Sequence, residues 1–251
     1  MRTVEVLGVE FNAMSGDEAV GLLRAKLDAP RGKASFVVAT PNPEALLRAK
    51  KDPVFMEALR GAGLRLPDGT GVVLASRLLG DAIGEKLGGF DVSAALFESI
   101  RGENKSVYLL GSVAGAAEKA KITIEEKFAG LRVAGTRDGY FKIEEEPGIV
   151  DEINGKEPDV LVLGMGMPKQ ETFAARNAAS IKAPLTLCLG GTIDVYAGIK
   201  KRPPKIFIKT GFEWLGYLIT GPRRFQRLTA IPRFAFAVIC ERLKGAGRGP
   251  E

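Results

Sequence analysis

Short apolar runs alternate with longer segments of helical periodicity through residues 1–199 of the chain. The runs are typical of buried strands, because helices need longer segments with apolar positions three and four residues apart. Strands are predicted at 36–39, 64–66, 107–110, 131–134, 160–163 and 185–189, after an opening strand or hairpin over 3–11. Helices are predicted to begin near Ser15, Glu44, Val54, Val72, Val92, Ser112 and residue 146. This order predicts an α/β fold, with a mainly parallel, Rossmann-like sheet and helices on both faces.

The loops that follow the predicted strands are the candidate site, because ligands bind beyond the carboxyl ends of parallel strands. One of them combines Gly164 and Gly166 with Pro168 and Lys169 at a helix start. Backbone N–H groups and the helix dipole favour an anion there, although an ordinary turn is the alternative. The third glycine of the dinucleotide fingerprint is missing. The polar or glycine-rich loops lie at 40–43, 67–71, 111–112, 164–170 and 190–194.

Polar side chains in these loops are the candidates for chemistry. Asp68 is predicted to be either a general base or the N-cap of the next helix. Thr40 and Asn42 would bind a phosphate, ribose or sugar hydroxyl, or else organise their own turn. Gln170 would also bind a phosphate, ribose or sugar hydroxyl, or else be an exposed residue in the first turn of a helix. Asp194 would hold a ribose hydroxyl or cap a helix.

Two further segments are predicted to be irregular. Residues 80–91 are rich in glycine, which predicts a mobile connection. Residues 135–141 are predicted to form a loop, in which Tyr140 either flanks a base or belongs to the core.

The chain contains no histidine, which limits the catalytic mechanisms that are available to it. This absence excludes a Ser-His-Asp triad, a Cys-His pair and a histidine metal site, so a carboxylate, Lys, Tyr or Cys must transfer protons. No Asp-x-Asp occurs, so a carboxylate clamp for a metal-bound nucleotide sugar has no local signature, and no metal or cofactor is predicted. Cys188 and Cys240 lie in apolar runs and are predicted to be buried thiols.

The C-terminal segment differs from the rest in charge. Residues 200–251 carry twelve Lys/Arg and three Glu, whereas residues 1–199 carry 24 Lys/Arg and 27 Asp/Glu. A helix is predicted at 206–219, and the apolar run Phe234–Cys240 is far shorter than the roughly 20 residues of a membrane span. We therefore predict two units, a catalytic domain at 1–199 and a basic amphipathic helical appendage at 200–251. The appendage would lie on an anionic membrane surface, or else pack on the body with a solvated basic face.

A series of motifs resembles the WecG/TagA/CpsF family of bacterial cell-surface glycosyltransferases. The likeness runs in order from about residue 5 to 240, and the combination is more specific than any one loop. The motifs are Thr40-Pro-Asn-Pro, Pro67-Asp-Gly-Thr-Gly, Leu109-Leu-Gly-Ser, Gly164-Met-Gly-Met-Pro-Lys-Gln-Glu, Gly190-Gly-Thr-Ile-Asp, Lys201-Arg-Pro-Pro-Lys and Gly211-Phe-Glu-Trp-Leu.

The resemblance implies an inverting, metal-independent transfer of N-acetylmannosamine or a related sugar from a UDP donor. The acceptor would be polyprenyl-diphosphate-linked GlcNAc, used for teichoic acid or surface polysaccharide. It also implies a cytoplasmic enzyme that is peripheral on the inner face of the membrane, with a possible homo-oligomer. Carried over by position, Asp68 is the base, and Thr40, Asn42 and Gln170 are active-site contacts. The resemblance further implies that the C-terminal appendage supplies arginines to the active site, and Arg224 and Arg227 are the matching positions.

The chain departs from the family pattern at Lys86, where an arginine is usual; lysine keeps the charge but lacks the bidentate fork. Lys86, Gly164, Gly166, Lys169 and Asp194 complete the predicted substrate contacts. The alternative function is a non-catalytic nucleotide-binding protein that uses the same pocket. A nicotinamide-dependent oxidoreductase is disfavoured by the incomplete glycine fingerprint. Nucleic-acid binding is disfavoured because the body of the chain is near neutral.

Overall fold

The chain opens with an antiparallel hairpin, and the other described strands form one parallel sheet. The computed structural model describes residues 1–28, 33–204, 207 and 230–246. The hairpin pairs β1 (Thr3–Val6) with β2 (Val9–Asn12). The six-stranded sheet contains β3 (Phe36–Ala39), β4 (Leu64–Arg65), β5 (Ser106–Gly111), β6 (Arg132–Arg137), β7 (Val160–Gly164) and β8 (Leu185–Cys188). Its spatial order is β4-β3-β8-β7-β5-β6, and every pair is parallel, as predicted.

Helices cover both faces of this sheet, which confirms the predicted α/β fold. Successive strand residues enter opposite cores, because side chains alternate across a strand. Leu161 and Leu163 pack in one hydrophobic cluster, and Val160 and Val162 pack in the other. The helices are α1 (Gly16–Leu27), α2 (Pro43–Ala49), α3 (Pro53–Gly61), α4 (Thr70–Leu79), α5 (Gly89–Ser99), α6 (Ala116–Lys127), α7 (Glu146–Gly155), α8 (Lys169–Asn177), α9 (Thr192–Tyr196) and α10 (Ala230–Ala246).

The predicted start of α1 is confirmed by its hydrogen bonds. The Ser15 hydroxyl accepts from the Glu18 N–H, and the Glu18 carboxylate accepts from the Ser15 N–H. This reciprocal capping box satisfies N–H groups that a helix start leaves without a partner.

One predicted loop is shorter than expected, because β6 continues to Arg137. Pairing with β5 resumes after an irregularity at Val107/Tyr108, where Gly135 pairs with Tyr108. A methyl group on Gly135 would lie 2.5 Å from the Tyr108 ring, so glycine makes this pairing possible. Tyr140 is 77% exposed, and its predicted core alternative is wrong. Residues 81–88 are described without helix or strand, as predicted, but α5 begins at Gly89, so the prediction of an irregular segment up to residue 91 is wrong at its end.

The last described helix packs on the body of the protein. Phe234 and Val238 of α10 are buried in the cluster that also contains Val72 and Val73 of α4. Apart from residue 207, the predicted helix at 206–219 lies outside the described residues, and so do the predicted contacts Arg224 and Arg227. Among the helices of the described ranges, none combines the length and hydrophobicity that crossing a membrane requires.

Candidate active site

The predicted loops converge at the carboxyl edge of the parallel sheet. The Asp68 loop follows β4 at one end, Thr40 follows β3, and the loops at 189–191 and 164–168 follow β8 and β7. Neighbouring strands are about 4.8 Å apart, so β4 and β7, three positions apart, are separated by about 14 Å. The edge therefore forms an extended site rather than a single point.

Asp68 lies between two other loops. Its N–H donates to the Pro41 carbonyl at 3.2 Å, and the Leu87 N–H donates to the Pro67 carbonyl at 2.8 Å. A methyl group added at Gly88 would lie 3.2 Å from Oδ1 of Asp68, so this half-buried carboxylate faces a glycine. The N-cap of α4 is Gly69, the residue after Asp68. The helix-cap alternative for Asp68 is therefore wrong.

Thr40 and Asn42 both make structural hydrogen bonds. The Thr40 hydroxyl donates to the Cys188 carbonyl at 3.1 Å and so ties the end of β3 to the end of β8. Asn42 is the N-cap of α2, and its Oδ1 accepts from the Ala45 N–H at 3.0 Å. The turn alternative is therefore confirmed for Asn42, whereas Thr40 bonds a neighbouring strand and not its own turn. Their predicted substrate contacts would use the lone pairs of the Thr40 hydroxyl and the N–H groups of the Asn42 amide.

Gln170 joins two glycine loops. Its Oε1 accepts from the Gly166 N–H at 3.2 Å and from the Gly190 N–H at 2.9 Å. Its Nε2 donates to the Glu171 carboxylate at 2.8 Å. Gln170 is only 4% exposed, so the prediction of an exposed first-turn residue is wrong. The Gly166 N–H also points inward, contrary to the expected anion-facing arrangement.

Gly164 and Lys169 have clear structural roles. A methyl group on Gly164 would lie 2.6 Å from the Ile193 side chain, so glycine lets α9 approach the end of β7. The Lys169 ammonium donates to the carbonyls of Gly139 and Phe141 at 2.8 and 2.9 Å. It also lies 3.8 Å from the centre of the Phe141 ring. Burial lowers the pKa of Lys169, and nearby carboxylates oppose that change.

Asp194 is buried near the end of β5, where it contacts two side chains. Its carboxylate accepts from the Ser112 hydroxyl and forms an ion pair with Lys200. Asp194 lies inside α9, whose N-cap is Gly191, so the predicted capping alternative is wrong. Lys86 is half-buried in the segment before Gly88. Ribose binding by Asp194 and substrate binding by Lys86 stay predictions.

The pairing of Asp91 with Arg202 is a feature that the sequence analysis missed. The Arg202 guanidinium contacts both carboxylate oxygens of Asp91, at 2.8 and 3.0 Å, and lies 4.3 Å from the Phe90 ring centre. With the Lys200–Asp194 pair, this contact fixes the start of the C-terminal segment to the edge of the sheet. The run of basic residues was visible in the sequence, but their partners were not.

The thiols and carboxylates give further chemical information. Cys188 and Cys240 are both free, as predicted; Cys188 is buried and Cys240 is half-buried. Burial, with a smaller contribution from Glu171, raises the pKa of the Cys188 thiol well above its ordinary value. Within the described ranges, no three His, Cys, Asp or Glu side chains form a group suited to a metal ion.

A parallel α/β sheet with polar loops and glycine turns along its carboxyl edge defines a class of proteins that bind nucleotides and related ligands there. The chain belongs to the glycosyl transferase WecG/TagA/CpsF family, whose model matches residues 4–248. The resemblance seen in the sequence is confirmed.

Two similar proteins carry the name N-acetylglucosaminyldiphosphoundecaprenol N-acetyl-beta-D-mannosaminyltransferase. The chain is 32% identical to the Bacillus spizizenii protein over 209 residues, which cover 83% of this chain and 80% of the relative. It is 28% identical to the Staphylococcus aureus protein over 235 residues, which cover 94% and 91%.

Proposed function

We propose that this protein transfers N-acetylmannosamine, or a related sugar, from a UDP donor to polyprenyl-diphosphate-linked GlcNAc. The product would enter the synthesis of cell-wall teichoic acid or surface polysaccharide. The observation that carries this proposal is the position of Asp68, which lies at the carboxyl edge of the sheet and faces Gly88, in a chain of this family. The names of the relatives supply the donor sugar and the acceptor.

In the proposed reaction, Asp68 removes the proton from the attacking hydroxyl of the acceptor sugar. The hydroxyl oxygen forms a bond to the anomeric carbon of the donor, while the bond from that carbon to the diphosphate oxygen breaks. UDP leaves with the bonding electron pair, and the configuration at the anomeric carbon inverts. General-base help of this kind is worth roughly 10²–10⁴-fold.

The departing diphosphate needs positive charge. In our proposal the start of α8 and the appendage residues Arg224 and Arg227 supply it without a metal ion. Two contacts support this arrangement, because Lys200 and Arg202 place the beginning of the basic segment at the same edge as Asp68. Lys86 would add charge from the segment next to Gly88.

The decisive experiment offers the purified protein a panel of UDP-sugars with a lipid-diphosphate-GlcNAc analogue and identifies the product by mass. Transfer from UDP-N-acetylmannosamine, undiminished by a chelator, is the expected result. Binding of UDP without transfer to any lipid acceptor would favour the non-catalytic nucleotide-binding protein instead.

We also infer that the protein works at the inner face of the cell membrane. In α10, the face opposite the buried Phe234 and Val238 is apolar, with Phe236 at 69% and Leu243 at 68% exposure. Ile239 lies on the same face, because these positions follow helical spacing. An apolar face of this kind suits a helix that lies in a bilayer interface.

Flotation with anionic vesicles tests this localisation. The double substitution Phe236→Glu and Leu243→Glu should release the protein from vesicles. Ile122→Glu on α6 is the matched control, because Ile122 is also an exposed apolar residue, at 58%. Equal vesicle binding by all three proteins would discard the membrane role of α10.

A further inference from the structure

A buried carboxylate lies directly beside Gln170. Glu171 is 5% exposed, and its Oε2 has no hydrogen-bond partner among the described residues. Burial raises the pKa of this carboxyl group, and the hydrogen bond from Gln170 opposes that change. Burying an ionisable group with an unsatisfied oxygen costs stability, so Glu171 needs an explanation beyond packing.

The explanation lies in what the other oxygen does. Oε1 of Glu171 accepts from Nε2 of Gln170 at 2.8 Å. A glutamine amide has a donor side and an acceptor side, so fixing Nε2 on the carboxylate also fixes where Oε1 points. That oxygen then receives the N–H groups of Gly166 and Gly190.

The reverse orientation of the amide is electrostatically unfavourable. It would place the Gln170 carbonyl oxygen against the Glu171 carboxylate, and it would place the amide NH₂ group against two backbone N–H groups. An acceptor would then face an acceptor, and donors would face donors, so the hydrogen bonds that these buried groups require would be lost. Glu171 therefore selects one orientation of Gln170.

We infer that Glu171 is a positioning residue, which locks the Gln170 amide so that it holds the loops after β7 and β8 in one arrangement. The two loops flank the place where the proposed donor binds, so this inference rests on the proposed function for its effect on sugar transfer. Glu171 acts through Gln170 and does not contact the substrate, because it is buried.

A double-mutant cycle tests this linkage in the full-length protein. Gln170→Ala should lower kcat/KM for transfer about 100-fold, and Glu171→Leu about 10-fold, because loop misplacement of about 1 Å can have effects of this size. The double variant should be no slower than Gln170→Ala alone, since residues that act as one unit are not additive. Glu171→Gln, which keeps an acceptor oxygen, should retain most of the activity.

Two results of this cycle would overturn the inference. Losses that multiply in the double variant would mean that Glu171 acts independently of Gln170. Wild-type activity in Glu171→Leu would mean that the carboxylate positions nothing.

Hydrogen exchange followed by mass spectrometry gives a readout that needs no substrate. In Glu171→Leu, peptides containing Gly166 and Gly190 should exchange several-fold faster, while peptides from α1 exchange as in the wild type. Unchanged exchange at both glycine loops would refute the inference whatever the activity. If the wild-type protein transfers no sugar, the proposed function fails and the exchange result alone decides the role of Glu171.

Discussion

The carboxyl edge contains two glycine-bearing regions, and the glycine that faces a side chain in each of them serves a different purpose. In the glycine turn, defined as residues 164–168, Gly164 leaves room for Ile193, and Gly166 has a φ of +77°. In the Asp68 rim, defined as residues 66–69 and 86–88, Gly69 also has a positive φ, of +95°, but Gly88 has an ordinary extended backbone at φ −71° and ψ 143°. Its missing side chain instead leaves space beside the Asp68 carboxylate.

This difference separates a glycine that the packing of the loops requires from a glycine that leaves room beside a candidate catalytic group. The polar side chains around the glycine turn bind the backbone of neighbouring loops, as Lys169 and Gln170 do. Removing them should alter loop structure together with activity. Changes at the Asp68 rim should instead alter activity while the loops stay in place.

The largest effect is expected at Asp68. Asp68→Asn removes the proposed base without changing its size, so transfer should fall roughly 10²–10⁴-fold. UDP binding and Tm should stay close to those of the wild type. Steady-state kinetics, calorimetric UDP titration and thermal denaturation measure the three quantities.

Asp138→Asn is a suitable control for that experiment. Asp138 is a half-buried carboxylate in the loop after β6, at the same edge of the sheet, where it accepts from the Tyr140 N–H at 2.9 Å. Its amide variant keeps an acceptor and should transfer sugar at nearly the wild-type rate. Normal turnover in Asp68→Asn would remove Asp68 as the base.

The next effect tests the glycine turn. Lys169→Met removes the ammonium group that holds the carbonyls of Gly139 and Phe141, and it should lower the free energy of unfolding by about 1–2 kcal/mol. Transfer should fall less than 10-fold. Denaturant unfolding and kinetics on the same preparation check this. Loss of UDP binding at unchanged stability would instead support the prediction that Lys169 contacts the substrate.

Much of the fold was predictable because its strands are buried on both faces and appear as uninterrupted apolar runs. The edge strand β6 was the exception. Its last residues, Gly135 to Arg137, are polar or lack a side chain, and only the pairing with β5 shows that the strand continues. An edge strand has less need of apolar residues, so the pattern ended before the strand did.

The candidate site was predictable as a set of loops but not as a set of contacts. Thr40 donates to a carbonyl 148 residues away, and Arg202 meets Asp91 across 111 residues. Local spacing carries no information about such pairs. The burial of Glu171 had one available signal, since it lies three residues before Ala174 on the buried face of α8.

A smaller effect is expected at Gly88. Gly88→Ala places a methyl group 3.2 Å from Oδ1 of Asp68 and 3.7 Å from Oδ2 of Asp91, without backbone strain. Kinetic measurements should show a loss of several-fold in transfer, with Tm nearly unchanged. Gly84→Ala is the control, because a methyl group there meets nothing within 4 Å. Equal activity in the two variants would show that the space beside Asp68 is not needed.

The smallest effect is on thermal stability; it concerns the buried carboxylate of Glu171 and depends on pH. Burial raises the pKa of Glu171 above its ordinary value of 4.5, so the folded state binds its proton more tightly than the unfolded state does. Stability of the wild type therefore falls as pH rises from 4.5 through the folded-state pKa. Glu171→Gln does not titrate and escapes this loss.

Thermal denaturation should show the Tm advantage of Glu171→Gln over the wild type growing through that pH window, by about 2–4 °C for each kcal/mol, and then levelling. An advantage that stays constant from pH 4.5 to 8 would mean that Glu171 has the same proton affinity in both states, and the carboxylate beside Gln170 would then carry no burial cost.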